Sequence, residues 1–420
     1  MIVVGGGPAG ATTARFLARA GRRVTVLDRA LFPRNKPCGG GISTRVLLRF
    51  PYLSHSLGRI ATHFLSRLNL EGPDGDSVVI ESNGPAALMI RRVEFDALLL
   101  SLASEAGATV VTGADVVRIE ERDDRVMLET RDGRGFSAPL LVAADGVNSV
   151  VARRLGLNPG WPPQAVALDM MEETPRTQLR DVDPSTLWVA YGCNPRGGIP
   201  VKGVNETRAH EGYAYIFPKR DHVNVGVGYV LSHYREAIDR APYELQLEFV
   251  AWLRERGILE GDSDRRNFTP FLIPVGGPLG APGRGRVLLA GDAGGFVNGF
   301  TAEGIYYAMV SGELAGRAVL ESAANVSLMA EAYRRACDHE IGSELRDSVL
   351  IQRFLFADRR RIARVIAGAS NARRMTNLVL DLAMGKRTYR DVRRQWLLRS
   401  PATALQFVYE RLRQRRYDVN

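Results

Sequence analysis

Ile2-Val3-Val4-Gly5-Gly6-Gly7-Pro8-Ala9-Gly10 opens the chain and decides how the rest is read. A short β-branched run passing directly into Gly5-x-Gly7-x-x-Gly10 predicts a buried parallel strand turning into a helix whose first N–H groups face a pyrophosphate. Gly5 permits the tight turn, and Gly7 lets the backbone approach the phosphates. Gly10, with Ala11 and Ala14 behind it, keeps the helix close to the sheet. Pro8 and Ala9 complete the ligand-facing turn. Arg23-Val24-Thr25-Val26-Leu27-Asp28 reads as a second apolar strand ending in an acid. An acid at that distance accepts hydrogen bonds from a ribose 2′-hydroxyl and repels a 2′-phosphate. The cofactor implied is FAD or NAD.

Two later strands end in the same manner. Leu140-Leu141-Val142-Ala143-Ala144-Asp145-Gly146 is a buried run ending in Asp-Gly, where Asp145 is either a turn former or, at the carboxyl end of a parallel strand, a ligand contact. Arg286-Val287-Leu288-Leu289-Ala290-Gly291-Asp292-Ala293 is the third. Gly304-Ile305 then starts a long helix running to about Ala323, another N-terminus that can face a ligand.

Between these strands the pattern changes. After Asp28, Arg29 to Ser43 is too rich in glycine and proline for a helix or strand, and Gly39, Gly40 and Gly41 suit backbone pressed flat against a ligand. Cys38 beside them is either a packed thiol or a group facing the cofactor. Residues 60 to 90 alternate like antiparallel strands around the turn Gly72-Pro73-Asp74-Gly75. Arg92-x-x-Phe95-Asp96 opens a helix, and a β-meander follows around Asp132-Gly133. From Gln164 to about Asp264 the alternation is strong and aromatic. Tyr213, Tyr215 and Phe217 share one face by strand periodicity, either as core or as a binding surface.

The 420 residues suffice for two or three domains, and 45% hydrophobic with 24% charged residues is ordinary for a soluble protein. No run approaches the roughly 18 apolar residues of a membrane span. The first strand leaves no room for a signal peptide. Cys38, Cys193 and Cys337 have neither CxxC spacing nor an even framework, which points to reduced, cytoplasmic thiols and no metal. The net charge of +10 is concentrated at one end: Arg353 to Asn420 holds 17 basic and 5 acidic residues.

Taken together, GGGPAG near the start, Ala144-Asp145-Gly146 in the middle and Ala290-Gly291-Asp292-Ala293 late resemble the FAD-dependent aromatic hydroxylase superfamily. Lys36-Pro37-Cys38-Gly39-Gly40-Gly41, Tyr213-x-Tyr215-x-Phe217-Pro218, Ala302-Glu303-Gly304-Ile305 and Gly385 to Asp391 are similar to its geranylgeranyl (polyprenyl) reductase branch. The resemblance implies an α/β (α+β) fold in three parts. Residues 1–60, 90–155 and 270–325 would form a discontinuous, Rossmann-like FAD-binding domain. Residues 61–89 and 156–269 would form an inserted antiparallel-sheet substrate domain, and 326–420 a basic helical C-terminal domain.

Residue by residue, the resemblance implies that Asp28, with Arg29 beside it, holds the adenosine ribose. Cys38, Gly39 and Gly40 would lie on the flavin side of FAD, Arg92 at the diphosphate and Val116 at the adenine. Asp145 and Gly146 would lie along the cofactor, Asp292 at the ribityl and pyrophosphate region, and the Gly304 and Ile305 amides at the isoalloxazine. Tyr213, Tyr215, Phe217 and Pro218 would line the substrate channel. Two departures stand out: His210 and Tyr215 replace the proline and tryptophan of the branch's PxxYxWxFP pattern. Ala152 occupies the arginine position of the hydroxylases' Asp-Gly-x-x-Ser-x-x-Arg, with Arg153 next to it.

The implied reaction is reduction of isolated C=C bonds in a geranylgeranyl lipid or menaquinone side chain, with hydride from flavin N5 and a proton to the less substituted carbon. Cys38, Tyr213 and Tyr215 are the candidate catalytic groups. A flavin monooxygenase or halogenase, and a non-redox isoprenoid cyclase, are the alternatives. The chain contains no second strand-GxGxxG-helix, so electrons would come from docked NAD(P)H or a ferredoxin-like carrier. Leu397, Leu398, Leu405, Val408 and Leu412 beside Arg399, Arg411, Arg413, Arg415 and Arg416 form either solvated helices or a peripheral contact with the inner face of the membrane. No nucleic-acid motif accompanies the charge.

Overall fold

The computed structural model describes residues 1–192, 211–322 and 325–371, with Asp381 and Arg387. The expectations on Cys193, on His210, on most of Gly385 to Asp391 and on the apolar and basic residues 397–416 lie outside these residues. The fold is mixed α/β with a Rossmann-like domain. Two units divide the chain: Met1–Lys36, Arg92–Pro162 and Pro274–Val349 make the first, and Pro37–Arg91, Pro163–Ile273 and Leu350–Asn420 the second.

The first unit grows from Ile2–Val4. This strand pairs in parallel with Thr25–Leu27 on one side and Leu141–Ala143 on the other. Thr109–Val111 and Val287–Leu289 extend the sheet in parallel, and Gly283–Arg284 closes one edge antiparallel. Strands buried on both faces must be apolar throughout, which is why they read as unbroken runs. Helix Pro8–Arg19 packs against helix Ile305–Glu321. A side chain at Gly312 would overlap the Ala9 carbonyl, and one at Gly316 would press on the Phe16 ring. The Thr13 hydroxyl donates to the Gly312 carbonyl at 2.8 Å. The meander of Val116–Glu121, Val126–Thr130 and Gly135–Ala138 contributes Val116, Val126, Leu128 and Ala138 to the same core as Ile2, Leu27 and Leu289.

The second unit is a seven-stranded sheet. Its order is Phe268–Ile273, Ala167–Pro175, His222–Val230, Gly212–Pro218, Thr186–Tyr191, Arg67–Glu71, Ser77–Glu81, antiparallel except where Thr186–Tyr191 meets Arg67–Glu71. Helix Pro242–Glu255 covers one face, burying Leu245, Phe249, Val250 and Leu253 against Met170, Trp188, Ile216, Val223, Val225 and Val227. Strand periodicity then places Asp169, Met171, Glu173, Tyr213, Tyr215, Phe217, Asn224 and Gly226 on the other face. A smaller sheet of Gly41–Ser43, Ala87–Ile90 and Thr62–Leu65 belongs to this unit. Helix Arg359–Asn371 sets Ile366 against Gly72 in the Arg67–Glu81 hairpin.

The unit boundaries differ from the expected ones at two places. The chain enters the second unit at Pro37 rather than 61, because Gly41–Ser43 pairs with Ala87–Ile90. Residues 325–349 belong with the first unit: Tyr333 is fully buried there and its hydroxyl donates to the Leu289 carbonyl at 2.8 Å. Among the described residues no helix is long and apolar enough to cross a membrane.

Candidate functional site

In the first unit the glycines behave as their spacing requires. Gly5 has φ +100°, and a side chain there would overlap the Ala144 carbonyl. A side chain at Gly10 would overlap the Gly5 carbonyl. Gly7 is different: a Cβ there would meet only the Arg34 guanidinium, at 3.6 Å. The turn is therefore closed against the sheet at Gly5 and Gly10 and open at Gly7, where helix Pro8–Arg19 begins. Pro8 and Ala9 are its buried first residues.

Asp28 does more than face a ribose. Its carboxylate accepts from the Gly6 N–H at 2.6 Å and the Ala30 N–H at 2.8 Å, so it ties the glycine turn to the end of the second strand. A carboxylate has about four acceptor positions, which leaves capacity for a ligand hydroxyl. Arg29 is exposed. Arg92 is buried and donates twice to Asp96, at 2.6 and 2.7 Å. Arg34 reaches the same carboxylate at 2.9 Å. Two guanidiniums thus share one fully buried acid, and that of Arg34 lies beside Gly7. The other Arg34 terminal nitrogen, Nη1, is buried with no partner in the chain.

Asp145 has a structural role of its own. Its oxygens accept from the Ser149 hydroxyl at 2.6 Å and the Val150 and Val151 N–H groups at 2.8 and 3.2 Å. The carboxylate is occupied in capping helix Val150–Arg154, and burial pushes its pKa up against those bonds. Gly146, at φ +84°, has open space around it. The Val116 side chain is in the core, so only its main chain is available to an adenine. Asp292 approaches Gly304, the residue preceding helix Ile305–Glu321: its Oδ1 is 3.6 Å from where a Gly304 Cβ would stand. Asn298 shapes the intervening loop by accepting from the Phe300 and Thr301 N–H groups, both at 3.0 Å. Ala302, at φ +55°, is the strained residue before Glu303-Gly304.

The second unit carries an aromatic row. Ring centroids are 5.7 Å apart between Tyr191 and Tyr213, 6.1 Å between Tyr213 and Tyr215, and 4.5 Å between Tyr215 and Phe217. These rings are on the face opposite helix Pro242–Glu255. Tyr215 is nonetheless buried, while Tyr213 and Phe217 stay partly open and Pro218 is buried. The Tyr215 ring occupies the space above Gly226, and its hydroxyl donates to Asp169 at 3.0 Å. Burial, then the Asp169 charge, raise its pKa well above the ordinary phenol value.

The Cys38-Gly39-Gly40-Gly41 segment lies against this face. A Cβ on Gly39 would stand 2.7 Å from the Phe217 ring and 3.5 Å from that of Tyr215. Gly40 has φ +72° and its N–H donates to Cys38 Sγ at 3.4 Å. The Asn224 amide, fully buried, donates to the Cys38 carbonyl at 3.2 Å. Beneath Gly40, Lys219 pairs with Glu173, which also accepts from Arg91 at 2.7 Å. Burial works against the Glu173 charge, but Lys219 and Arg91 more than offset it and hold the carboxyl below its usual range.

Comparisons with known proteins show the family. The family model described as an FAD binding domain matches residues 1–242. Menaquinone reductase of Mycobacterium tuberculosis is 32% identical over 324 residues, covering 75% of each chain. Digeranylgeranylglycerophospholipid reductase 1 of Methanothermobacter thermautotrophicus is 29% identical over 378 residues, 84% of this chain and 86% of that one. The chain belongs to the geranylgeranyl reductase family of flavoproteins. It is an FAD-dependent oxidoreductase. The fold of this reductase is shared with a geranylgeranyl bacteriochlorophyll reductase-like protein of Thermoplasma acidophilum, at TM-score 0.75 and 18% identity over 91% of this chain and 95% of that one.

The first unit fits FAD on its own terms. The open Gly7, the helix N-terminus and the unpartnered Arg34 nitrogen together make a site for a diphosphate. Arg34, Asp96 and Asn298 were not singled out from sequence in this reductase, nor were Asp169, Lys219 and Asn224. Arg92-x-x-x-Asp96 carried a usable signal, since residues four apart on a helix meet. The others depend on partners far along the chain, and no local pattern marks them.

Proposed function

We propose that the protein reduces isolated C=C bonds in the polyprenyl chain of a lipid, a geranylgeranyl lipid or a menaquinone side chain. The observation that carries this reading is the aromatic row Tyr191, Tyr213, Tyr215 and Phe217, turned away from the hydrophobic core of its own unit. Relatives of 29 to 32% identity named for menaquinone and for digeranylgeranylglycerophospholipid support it. An isolated alkene does not attract hydride, so positive charge must develop on the tertiary carbon as the bond is reduced. Electron-rich ring faces stabilise such charge by about 0.5–2 kcal/mol each when water is excluded. Bound FAD, when reduced, supplies the hydride.

The chain's own residues orient and dry the reacting bond. Tyr213 and Phe217 offer partly open ring faces, and Gly39 keeps the Cys38 segment flat beside them. Electrons are proposed to come from NAD(P)H or a ferredoxin-like carrier. Residues 397–416 are proposed on sequence grounds to contact the inner face of the membrane. The test is to reduce the flavin-loaded protein chemically without oxygen, add a geranylgeranyl lipid or prenylated quinone, and follow flavin reoxidation and product mass. Two mass units gained per reduced bond is the expected result. A flavin that stays reduced until air is admitted, followed by oxygenated or halogenated aromatic products, would replace this reading with a monooxygenase or halogenase. A rearranged isoprenoid of unchanged mass would point to a cyclase.

A further inference from the structure

Each reduced double bond needs one proton as well as one hydride, and the aromatic face contains a buried acid placed beside one of its rings. Asp169 is on strand Ala167–Pro175, 5% exposed, and accepts from the Tyr215 hydroxyl at 3.0 Å. Two glycines of the neighbouring strand make room for the pair. A Cβ on Gly226 would stand 2.5 Å from the Tyr215 oxygen, and one on Gly228 would stand 3.3 Å from Asp169 Oδ1. Glu173, two residues along on the same face, is held ionised by Lys219 and Arg91 and has no proton to give near neutral pH. Tyr215 keeps its proton at any working pH. It also stands where the family pattern has a tryptophan, so its hydroxyl belongs to this chain rather than to the motif.

We propose that Tyr215 donates the proton to the alkene carbon and that Asp169 is the positioning residue that aims the hydroxyl and reloads it. This rests on the polyprenyl reductase reading. As hydride from reduced FAD forms one C–H bond, the Tyr215 O–H bond breaks and the proton forms the other. FAD is oxidised by two electrons and the alkene reduced by two. Before the step Asp169 takes a proton from water and turns the hydrogen bond around, so that the Tyr215 hydrogen is free for the alkene; it then passes that proton to the phenolate. A dry site favours such a transfer, because no solvent competes for the proton.

Tyr215→Phe keeps the ring and its packing and removes only the hydroxyl. Reoxidation of the chemically reduced, FAD-loaded variant by a geranylgeranyl lipid should slow by about 100-fold or more, in kcat and not in KM. Flavin content and midpoint potential should be unchanged. Asp169→Asn should slow the same step by about 10-fold or more. Wild-type reoxidation should be slower in D2O, and Tyr215→Phe should change that isotope effect. If Tyr215→Phe and Asp169→Asn both reoxidise at the wild-type rate with the wild-type isotope effect, the inference fails while the reductase reading stands. If reduced wild-type enzyme does not react with any polyprenyl lipid, the reductase reading fails and takes the inference with it.

Discussion

The glycine turn of the first unit and the aromatic face of the second both depend on absent side chains, for opposite purposes. At Gly5 a side chain would strike the Ala144 carbonyl and at Gly10 that of Gly5, whereas at Gly7 it would enter open space beside Arg34. The first two let the turn close on the sheet, and that closure leaves room at Gly7 for something the chain does not contain. On the sheet, Gly226 clears room for the Tyr215 ring and Gly39 for that of Phe217. Those glycines serve the protein's own residues. A glycine in the turn is therefore tied to the proposed cofactor site, whereas one against the sheet is tied to the shape of the surface proposed to meet the substrate.

Substituting one glycine from each group separates the two roles, and the turn should show the larger effect. Gly10→Val would drive Cβ into the Gly5 carbonyl, which cannot move without displacing strand Ile2–Val4. FAD should be lost on gel filtration, a weakening of at least about 1,000-fold given that the helix must part from the sheet. Retention of stoichiometric FAD in Gly10→Val would break the distinction.

Each unit also contains a carboxylate shared by two cations, reached by adjacent arginines in the sequence: Arg92 with Arg34 on Asp96, and Arg91 with Lys219 on Glu173. Removing the acid takes away a carboxylate that two cations share, and about 3–5 kcal/mol of stability should go in Asp96→Asn and in Glu173→Gln, measured by urea unfolding. The Glu173 pair has a pH signature. Its folded pKa is below the ordinary value of 4.5, so its contribution is complete above pH 4.5 and disappears as pH falls through the folded value. Glu172, next in sequence but fully buried on the opposite face of the strand, has its pKa raised by burial. It contributes in the reverse sense, with stability present below pH 4.5 and lost as pH rises. Glu173→Gln should flatten the acid side of the stability curve, and Glu172→Gln should not.

How much of this was legible depended on the sequence distance over which each contact is made. The turn, its helix and the acid at Asp28 lie within 30 residues, and the periodicities that specify them are local. Tyr213, Tyr215 and Phe217 were recognisable as sharing a face, but which face required knowing that Leu245, Phe249 and Leu253 cover the other one. At Asp145 a strand-end acid that binds a ligand and one that caps the next helix look the same in sequence; Ser149, four residues on, is the signal for the cap. Arg34 was hidden in a segment without periodicity, and it acquires meaning only through Asp96 on a later helix.

On the sheet, Gly226→Ala should have an intermediate effect. The new methyl would stand 2.5 Å from the Tyr215 oxygen, so the ring must tilt and the bond to Asp169 must lengthen. A cost of about 1–3 kcal/mol is expected for overpacking. FAD content should be unchanged, because this glycine touches only the protein's own ring. Loss of FAD in Gly226→Ala would show that the two kinds of glycine are not separable.

Asn224→Leu is the smallest and most discriminating case. The amide donates to the Cys38 carbonyl, but its Oδ1 is buried with no partner in the chain. Leucine removes a hydrogen bond of about 1 kcal/mol and at the same time removes an unsatisfied buried acceptor that costs about 1–3 kcal/mol. The two terms oppose each other, so global stability should shift by less than about 1 kcal/mol. The Cys38 segment, however, loses its tie to the sheet, and local opening by about 1 kcal/mol corresponds to roughly fivefold faster alkylation of Cys38 by iodoacetamide, read by mass spectrometry. Cys337, buried in the first unit, should keep its rate and serves as the internal control. An unchanged Cys38 rate would mean that Gly39 to Gly41, packed on Phe217 and Tyr215, hold the segment without the amide, and the aromatic face would then carry the loop as well as the substrate.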